Sequence, residues 1–305
     1  MFPIIAIIIA ELIWGAAPPI FKLSLNSIPP FTLAFIRFFF AGLIFLPFAL
    51  KKYKKLTGHQ WYLILLGSLF GVVINVSAFF VGLQYAPSIN VNIISAVGPL
   101  VLYIMSIVIL HERAHPQVLR GMFISFIGVL IIFFAPFYKT IFKEDIFSIS
   151  VVFGNILFVI AMLSNMLQLV INKKIIAQVD VIVIVCMQFL IGSVVYFPLM
   201  LGELRFWSFT QMNSGAWVGV LYGVLFSSAI AYYFFALALK NMSAQKLGVF
   251  DYMKPIITVA VAIPLLGEYP DAFFIVGGIL IFIGIFISER HPHYHRMHKK
   301  LHGRR

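Results

Sequence analysis

Ten runs of about twenty apolar residues, separated by short turn or charge signals, set the terms on which this chain can fold. A helix rises about 1.5 Å per residue, so crossing a hydrocarbon core of about 30 Å takes roughly 20 apolar residues. Runs of that length fall near 3–22, 30–50, 60–83, 88–110 and 115–136, and again near 150–172, 180–201, 215–239, 244–266 and 270–288. Charge is scarce: 10% of the 305 residues are charged and 62% hydrophobic, with a mean hydropathy of +1.04. A soluble domain carries about 25% charged residues to hold its water shell. The expected fold is therefore an all-α integral membrane protein with about ten transmembrane helices.

The formal charge of +12 would suggest nucleic acid in a soluble chain. Here the cations lie between apolar runs, where anionic headgroups and the positive-inside rule account for them, so membrane lipid and not nucleic acid is the expected partner. One set of loops, with the C-terminal tail, holds 16 of the 22 Lys and Arg residues, among them Lys51, Lys52, Lys54, Lys55, Lys173 and Lys174. That side reads as cytoplasmic, which places both termini there in a multi-pass protein of the cell (inner or plasma) membrane. Cys186 is the only cysteine, so no internal disulfide forms. The run within Met1–Phe21 has no preceding Lys or Arg and is as long as a span, so it reads as the first helix and not a signal peptide.

The sequence also repeats itself. A shift of 156 positions aligns Trp61 with Trp217, Gly67 with Gly223, Pro99 with Pro255, Glu112 with Glu268, Gly121 with Gly277 and Gly128 with Gly284. A shift of 151 aligns Lys22 with Lys173, Phe38 with Phe189 and Pro47 with Pro198. The division expected is a first repeat over 1–136, an extracytoplasmic linker over 137–149, a second repeat over 150–288 and a basic, His-rich cytoplasmic tail over 289–305. Five spans per repeat is an odd number, so the second repeat lies inverted relative to the first. Inverted repeats are a signature of alternating-access transporters.

Residues 97–131 (VGPLVLYIMSIVILHERAHPQVLRGMFISFIGVLI) and 253–287 (MKPIITVAVAIPLLGEYPDAFFIVGGILIFIGIFI) resemble the EamA repeat of the drug/metabolite transporter superfamily. WGAAPPIFKLS in the first span and LAFIRFFFAGL in the second resemble it too. His111 departs from the pattern, standing where the first repeat usually has Gly before Glu. The resemblance implies ten helices, a central cavity between the halves, and transport of metabolites such as amino acids, often outward.

Enzyme chemistry lacks its usual parts. All eight His residues lie in loops or the tail, no HExxH or Ser-His-Asp pattern is present, and neither a metal nor a cofactor is expected. No phosphate-binding G-x-x-x-x-G-K-[ST] loop occurs, which disfavours ATP coupling. The informative residues are the charges at membrane depth, each costing at least about 2.5–3.5 kcal/mol at mid-bilayer unless it faces a cavity or a partner. Glu11 lies near the middle of the first span with Trp14 on the same face, followed by Pro18 and Pro19, which break the hydrogen-bond ladder and free carbonyls to line a cavity. The stretch Ala10–Trp14 also resembles the first helix of small multidrug resistance transporters, where a Glu binds protons and cationic drugs in turn. That resemblance implies a proton-coupling role for Glu11, against the alternative of a structural partner of Arg37 or Lys254. Asp251 and Lys254 share a helix face, either as a self-neutralising pair or as a site for both signs of a zwitterion. Arg37 either snorkels to headgroups or binds ligand.

Asn75, Asn92, Ser95, Asn165, Gln168, Ser227, Tyr232 and Tyr252 complete the polar candidates, each also able to act as interhelical glue. Glu112 and Glu268 read as structural, capping the helices that follow them or bonding neighbouring backbone. Gly121, Gly128, Gly277 and Gly284 read as a packing stripe within each half or at a homodimer contact. The leading functional expectation is a secondary transporter of small polar metabolites, amino acids above all, working outward by alternating access on a small-molecule substrate. A proton-coupled antiporter of organic cations is the alternative, and a non-transporting scaffold the third reading.

Overall fold

The computed structural model describes residues 2–86, 88–95, 97–140, 149–266 and 272–289. Its elements are α1 (Phe2–Ser24), α2 (Pro30–Lys52), α3 (Gly58–Tyr85), α4 (Ser88–Ser95), α5 (Gly98–Leu110), α6 (Pro116–Thr140), α7 (Ile149–Ile175), α8 (Val181–Glu203), α9 (Ser214–Asn241), α10 (Ala244–Phe250), α11 (Lys254–Leu266) and α12 (Ala272–Glu289). Among the described residues no strand occurs. Among the described residues, seven helical stretches are long and apolar enough to cross a membrane by length and composition, and Gly98–Leu110 and Ile275–Ser288 are shorter apolar helices. The chain is thus an all-helical, multi-pass membrane protein. The expected run 88–110 is not one helix: α4 and α5 are separate, with Pro99 in the first turn of α5. The run 244–266 is broken as well, by a 3₁₀ turn at Asp251–Met253. Glu268 and the tail with its histidines lie outside the described residues.

Lipid offers no hydrogen bonds, so helix ends must find partners inside the protein or in the headgroup layer. Some ends are capped locally. Thr57 and Gln60 form a reciprocal capping box at α3, Asp180 accepts from Ile182 N at α8, and Asn213 accepts from Ala216 N at α9. Others are capped by charges from distant helices. Glu203, at the end of α8, accepts from Phe31 N at 3.1 Å, Thr32 N at 2.6 Å and the Thr32 hydroxyl at 2.7 Å, closing the first turn of α2. Lys52, at the end of α2, pairs with Asp180 at the start of α8, 3.1 Å away. Lys22 donates to the carbonyls of Leu83 and Ala86 at the end of α3, and Lys173 donates to those of Leu239 and Met242 at the end of α9. Cations at helix C-termini and anions at N-termini also complement the helix dipoles.

Glu112 corrects the expectation that it caps the next helix. Its carboxylate accepts from Ala244 N at 3.0 Å and Gln245 N at 3.4 Å, so it caps α10, far along the chain. The preceding residue explains the usual glycine there: His111 closes α5 with φ of 55°, the left-handed region that glycine enters freely. The glycine stripe also packs differently from expectation. A Cβ on Gly121 would meet Gly284 O, one on Gly284 would meet Gly121 O, and one on Gly128 would meet Gly277 O. These glycines therefore seat α6 directly on α12, neither within one half nor against a second copy. Ser125 seals the crossing by donating to Ile281 O at 3.1 Å.

Both α3 and α9 loosen into a π-helical segment, at Leu69–Ile74 and Tyr222–Ile230. Such turns are frequently found at functional sites. Each presents carbonyls to neighbouring side chains. The Tyr196 hydroxyl lies 2.8 Å and 2.9 Å from Val72 O and Val73 O, while Ser227 O accepts from Trp14 and Arg37. The close α6–α12 seat gives the first expected outcome. Gly121→Leu or Gly284→Val should destabilise the protein by about 1–3 kcal/mol through overpacking against backbone that cannot yield. Ile127→Val on the exposed side of α6 should be neutral, and thermal unfolding of the purified variants in detergent compares them.

Candidate functional site

A cavity of about 140 Å³ lies among α1, α2, α3, α4, α7, α9 and the α10–α11 turn. Ten of the thirteen candidates singled out from the sequence line it: Trp14, Arg37, Asn75, Asn92, Ser95, Asn165, Ser227, Tyr232, Asp251 and Lys254. Pro18, Phe21, Phe79, Phe158, Met162 and Met166 complete its principal walls. The first half of the chain and the second both contribute polar groups.

One wall is an ion cluster. Lys254 Nζ lies 2.8 Å from Asp251 Oδ1 and 3.2 Å from Glu11 Oε2, so both carboxylates share one ammonium. The Glu11 contact is an ion pair by distance, but its carboxylate oxygens lack a well-directed hydrogen bond. Glu11 is fully buried and stands behind Lys254, off the cavity surface. Its partner is thus Lys254, one of the two options open from the sequence, and not Arg37. The 3₁₀ turn at Asp251–Met253 presents Asp251 to the cavity, and Lys254 starts the next helix one turn on. The ammonium also sits 5.5 Å from the centre of the Trp14 ring.

Trp14 ties this wall to the opposite one. Its indole Nε1 donates to Ser227 O at 3.0 Å, and its ring meets Tyr232 edge-on at 5.1 Å. On the far side Arg37 does not snorkel. It is 4% exposed, donates from Nε to the Ser228 hydroxyl at 2.7 Å, and from Nη2 to the Ser227 hydroxyl at 2.9 Å and carbonyl at 3.3 Å. Phe21 and Phe38 flank the guanidinium at 5.1 Å and 4.8 Å from their ring centres.

The polar residues between these walls are under-committed. Asn75 uses its amide nitrogen on Ala161 O at 2.7 Å. Asn92, Ser95 and Asn165 face the cavity with no hydrogen-bond partner among the described residues. Interhelical glue would consist of satisfied pairs, and these three are not that.

Three candidates fall elsewhere. Gln168 is buried against Gly71 and donates to Gln188 Oε1 at 3.3 Å, within an amide cluster that includes Asn172. Tyr252 is fully buried away from the cavity. Glu11 contributes charge from the second layer. α1 continues through Pro18 and Pro19, and of the two carbonyls these prolines leave without a helical donor, that of Gly15 is taken by the Thr258 hydroxyl. Sequence reading missed Ser228 and the Phe158–Met162–Met166 face of α7. The spacing of four residues along that face is its only trace in the sequence.

Comparison with known proteins supplies the family. The model of the EamA-like transporter family matches residues 1–134 and again 152–289. This chain belongs to the EamA-like transporter family. An uncharacterized transporter of Archaeoglobus fulgidus is 26% identical over 92% of this chain and 95% of its own length. The uncharacterized transporter YetK of Bacillus subtilis is 24% identical over 92% of this chain and 84% of its own. A relative from Rickettsia felis named as an S-adenosylmethionine uptake transporter is 24% identical over 82% of this chain and 80% of its own. A solved crystal structure matches 94% of this chain and 96% of its own with a TM-score of 0.74 at 18% identity, a likeness of fold. The EamA-like architecture and the multi-pass membrane character thus agree with each other.

Removing the shared ammonium is the severe change at this site. Lys254→Met leaves the buried Glu11 and the partly buried Asp251 without their shared cation and should lower stability by about 3–5 kcal/mol. Adding Glu11→Gln and Asp251→Asn should restore much of that loss. Thermal unfolding of the single and triple variants measures the difference, and equal losses in both would contradict the shared-ion account.

Proposed function

We propose that this protein is a secondary transporter that moves small polar metabolites, amino acids foremost, outward across the cell membrane by alternating access. The observation that carries the reading is the cavity lined by both halves, which holds the charged side chains Arg37, Asp251 and Lys254 and three amide or hydroxyl side chains without a hydrogen-bond partner among the described residues. Charges at such depth are costly and mark substrate or ion paths. The proposal includes ten spanning segments in two inverted repeats, 1–136 and 150–288, with both termini cytoplasmic.

Paired contacts support that symmetry. Lys22 takes the end of α3 as Lys173 takes the end of α9. Glu203 reaches from the end of α8 to the start of α2, as Lys52 reaches from the end of α2 to the start of α8. The Gly121–Gly284 and Gly128–Gly277 contacts exchange under the same shift. The family model also matches twice, once in each half. Two pseudo-equivalent halves provide two pseudo-equivalent conformations, open to opposite sides.

Size and charge favour metabolites over drugs. The cavity of about 140 Å³ is well under the roughly 300–1,000 Å³ of drug-sized sites. Organic cation/proton antiport would need Glu11 exposed and free. In this structure Lys254 occupies it and separates it from the cavity.

Single-cysteine variants test the transport path. In a Cys186→Ser background, Asn92→Cys and Ser95→Cys should react with membrane-impermeant thiol reagents applied from either face of oriented vesicles. A transported amino acid should slow both reactions. Reaction from one face only, unchanged by any solute, would argue for a scaffold.

A further inference from the structure

The two charged walls of the cavity differ in how their charge is met. On one, the acids Glu11 and Asp251 both pair with the ammonium of Lys254. On the other, Arg37 is buried with no carboxylate partner among the described residues. Its partners are the Ser227 and Ser228 hydroxyls and the Ser227 carbonyl, which orient a guanidinium without neutralising it.

The guanidinium is held in place but not used up. Phe21 and Phe38 flank it, and its hydrogen bonds leave from Nε and Nη2. The Nη1 nitrogen donates to nothing among the described residues. A guanidinium offers five N–H groups in a rigid fork that matches a carboxylate, and an unpaired buried charge costs several kcal/mol.

The fold itself does not require this charge. Gln188 stands at the equivalent position of the second half, against the other π segment, where Ser68 donates to its carbonyl at 2.8 Å. There a neutral amide, bonded to Asn172 at 2.7 Å, does the packing. Only the Arg37 copy lines the cavity.

We infer that Arg37 is the receptor for a substrate carboxylate and that the cavity selects zwitterions. The carboxylate docks on the open guanidinium edge, and the cationic nitrogen is held by Asp251, the acid of the other wall that faces the cavity. The apolar part of the substrate packs on Phe79, Phe158, Met162 and Met166. Flexible methionines suit side chains of more than one shape. The inference rests on the transport reading above and names its substrate class.

Matched triplets test it: leucine, leucinamide and 4-methylpentanoate, with the corresponding sets for methionine and phenylalanine. Affinity comes from ligand-dependent thermal stability of the purified full chain, and movement from uptake into proteoliposomes. The intact zwitterion should bind at least about tenfold tighter than either the amide or the deaminated acid, because a site built around a polar group rejects analogues that lack it. In Arg37→Gln the amino acid and its amide should bind alike, whereas Arg37→Lys should keep part of the preference. Ser228→Ala, which leaves the charge and loosens only its orientation, should weaken the amino acid and not the amide. It keeps the test decisive if Arg37→Gln does not fold. Equal binding of acid and amide by the unaltered protein, or an unchanged ratio in Arg37→Gln, would overturn the inference. Amides and amines that bind and cross while zwitterions do not would sink it but leave transport standing. If no member binds or crosses, the transport reading falls with it.

Discussion

Hydrocarbon cannot donate or accept a hydrogen bond, and nearly every polar contact in this protein follows from that. Backbone groups at helix ends have no water to fall back on near the membrane, so Glu203, Glu112, Lys22 and Lys173 reach across to neighbouring helices and satisfy them. The same rule turns satisfaction into a diagnostic. Where polar side chains pair, as Gln168, Asn172 and Gln188 do, they hold helices together. Asn92, Ser95 and Asn165 instead face the cavity with no hydrogen-bond partner among the described residues, so they do not act as such pairs.

The ion cluster shows how that reasoning separates two kinds of charge. Lys254 is enclosed by two acids and belongs as much to the architecture as to the cavity. Arg37 is aligned by serines and rings and stays electrically unmatched. Trp14 joins them, since its indole touches the ammonium on one side and shares the Ser227 carbonyl with Arg37 on the other.

Much of the fold was legible because membrane spans depend on length and polarity, which a single sequence records. Helix bounds such as Pro30–Lys52 and Val181–Glu203 fall close to the apolar runs. The cavity lining was legible for a related reason: a charge or amide within an apolar run has few places to go. What the sequence did not record was the partner. A lone Arg37 reads alike whether it points to headgroups or inward, and what decides is Ser227 and Ser228 on a helix 190 and 191 positions away. Glu112 reads as a cap, yet the helix it caps starts at Ala244. The π segments left no local signal, because a widened turn depends on the side chains that take its free carbonyls and not on any one residue type.

The long reach of these caps bears on how the chain is made. Ribosomes deliver it from the N-terminus, and Lys22 finds the end of α3 inside the first five runs, so that contact can close early. Glu112 is synthesised more than a hundred residues before Ala244, and Thr32 long before Glu203. In the interim the start of α2 lacks its cap, and Glu112 waits in its loop without the helix it will hold. The first half is therefore an unfinished object on its own, and its last hydrogen bonds are supplied by segments that insert much later.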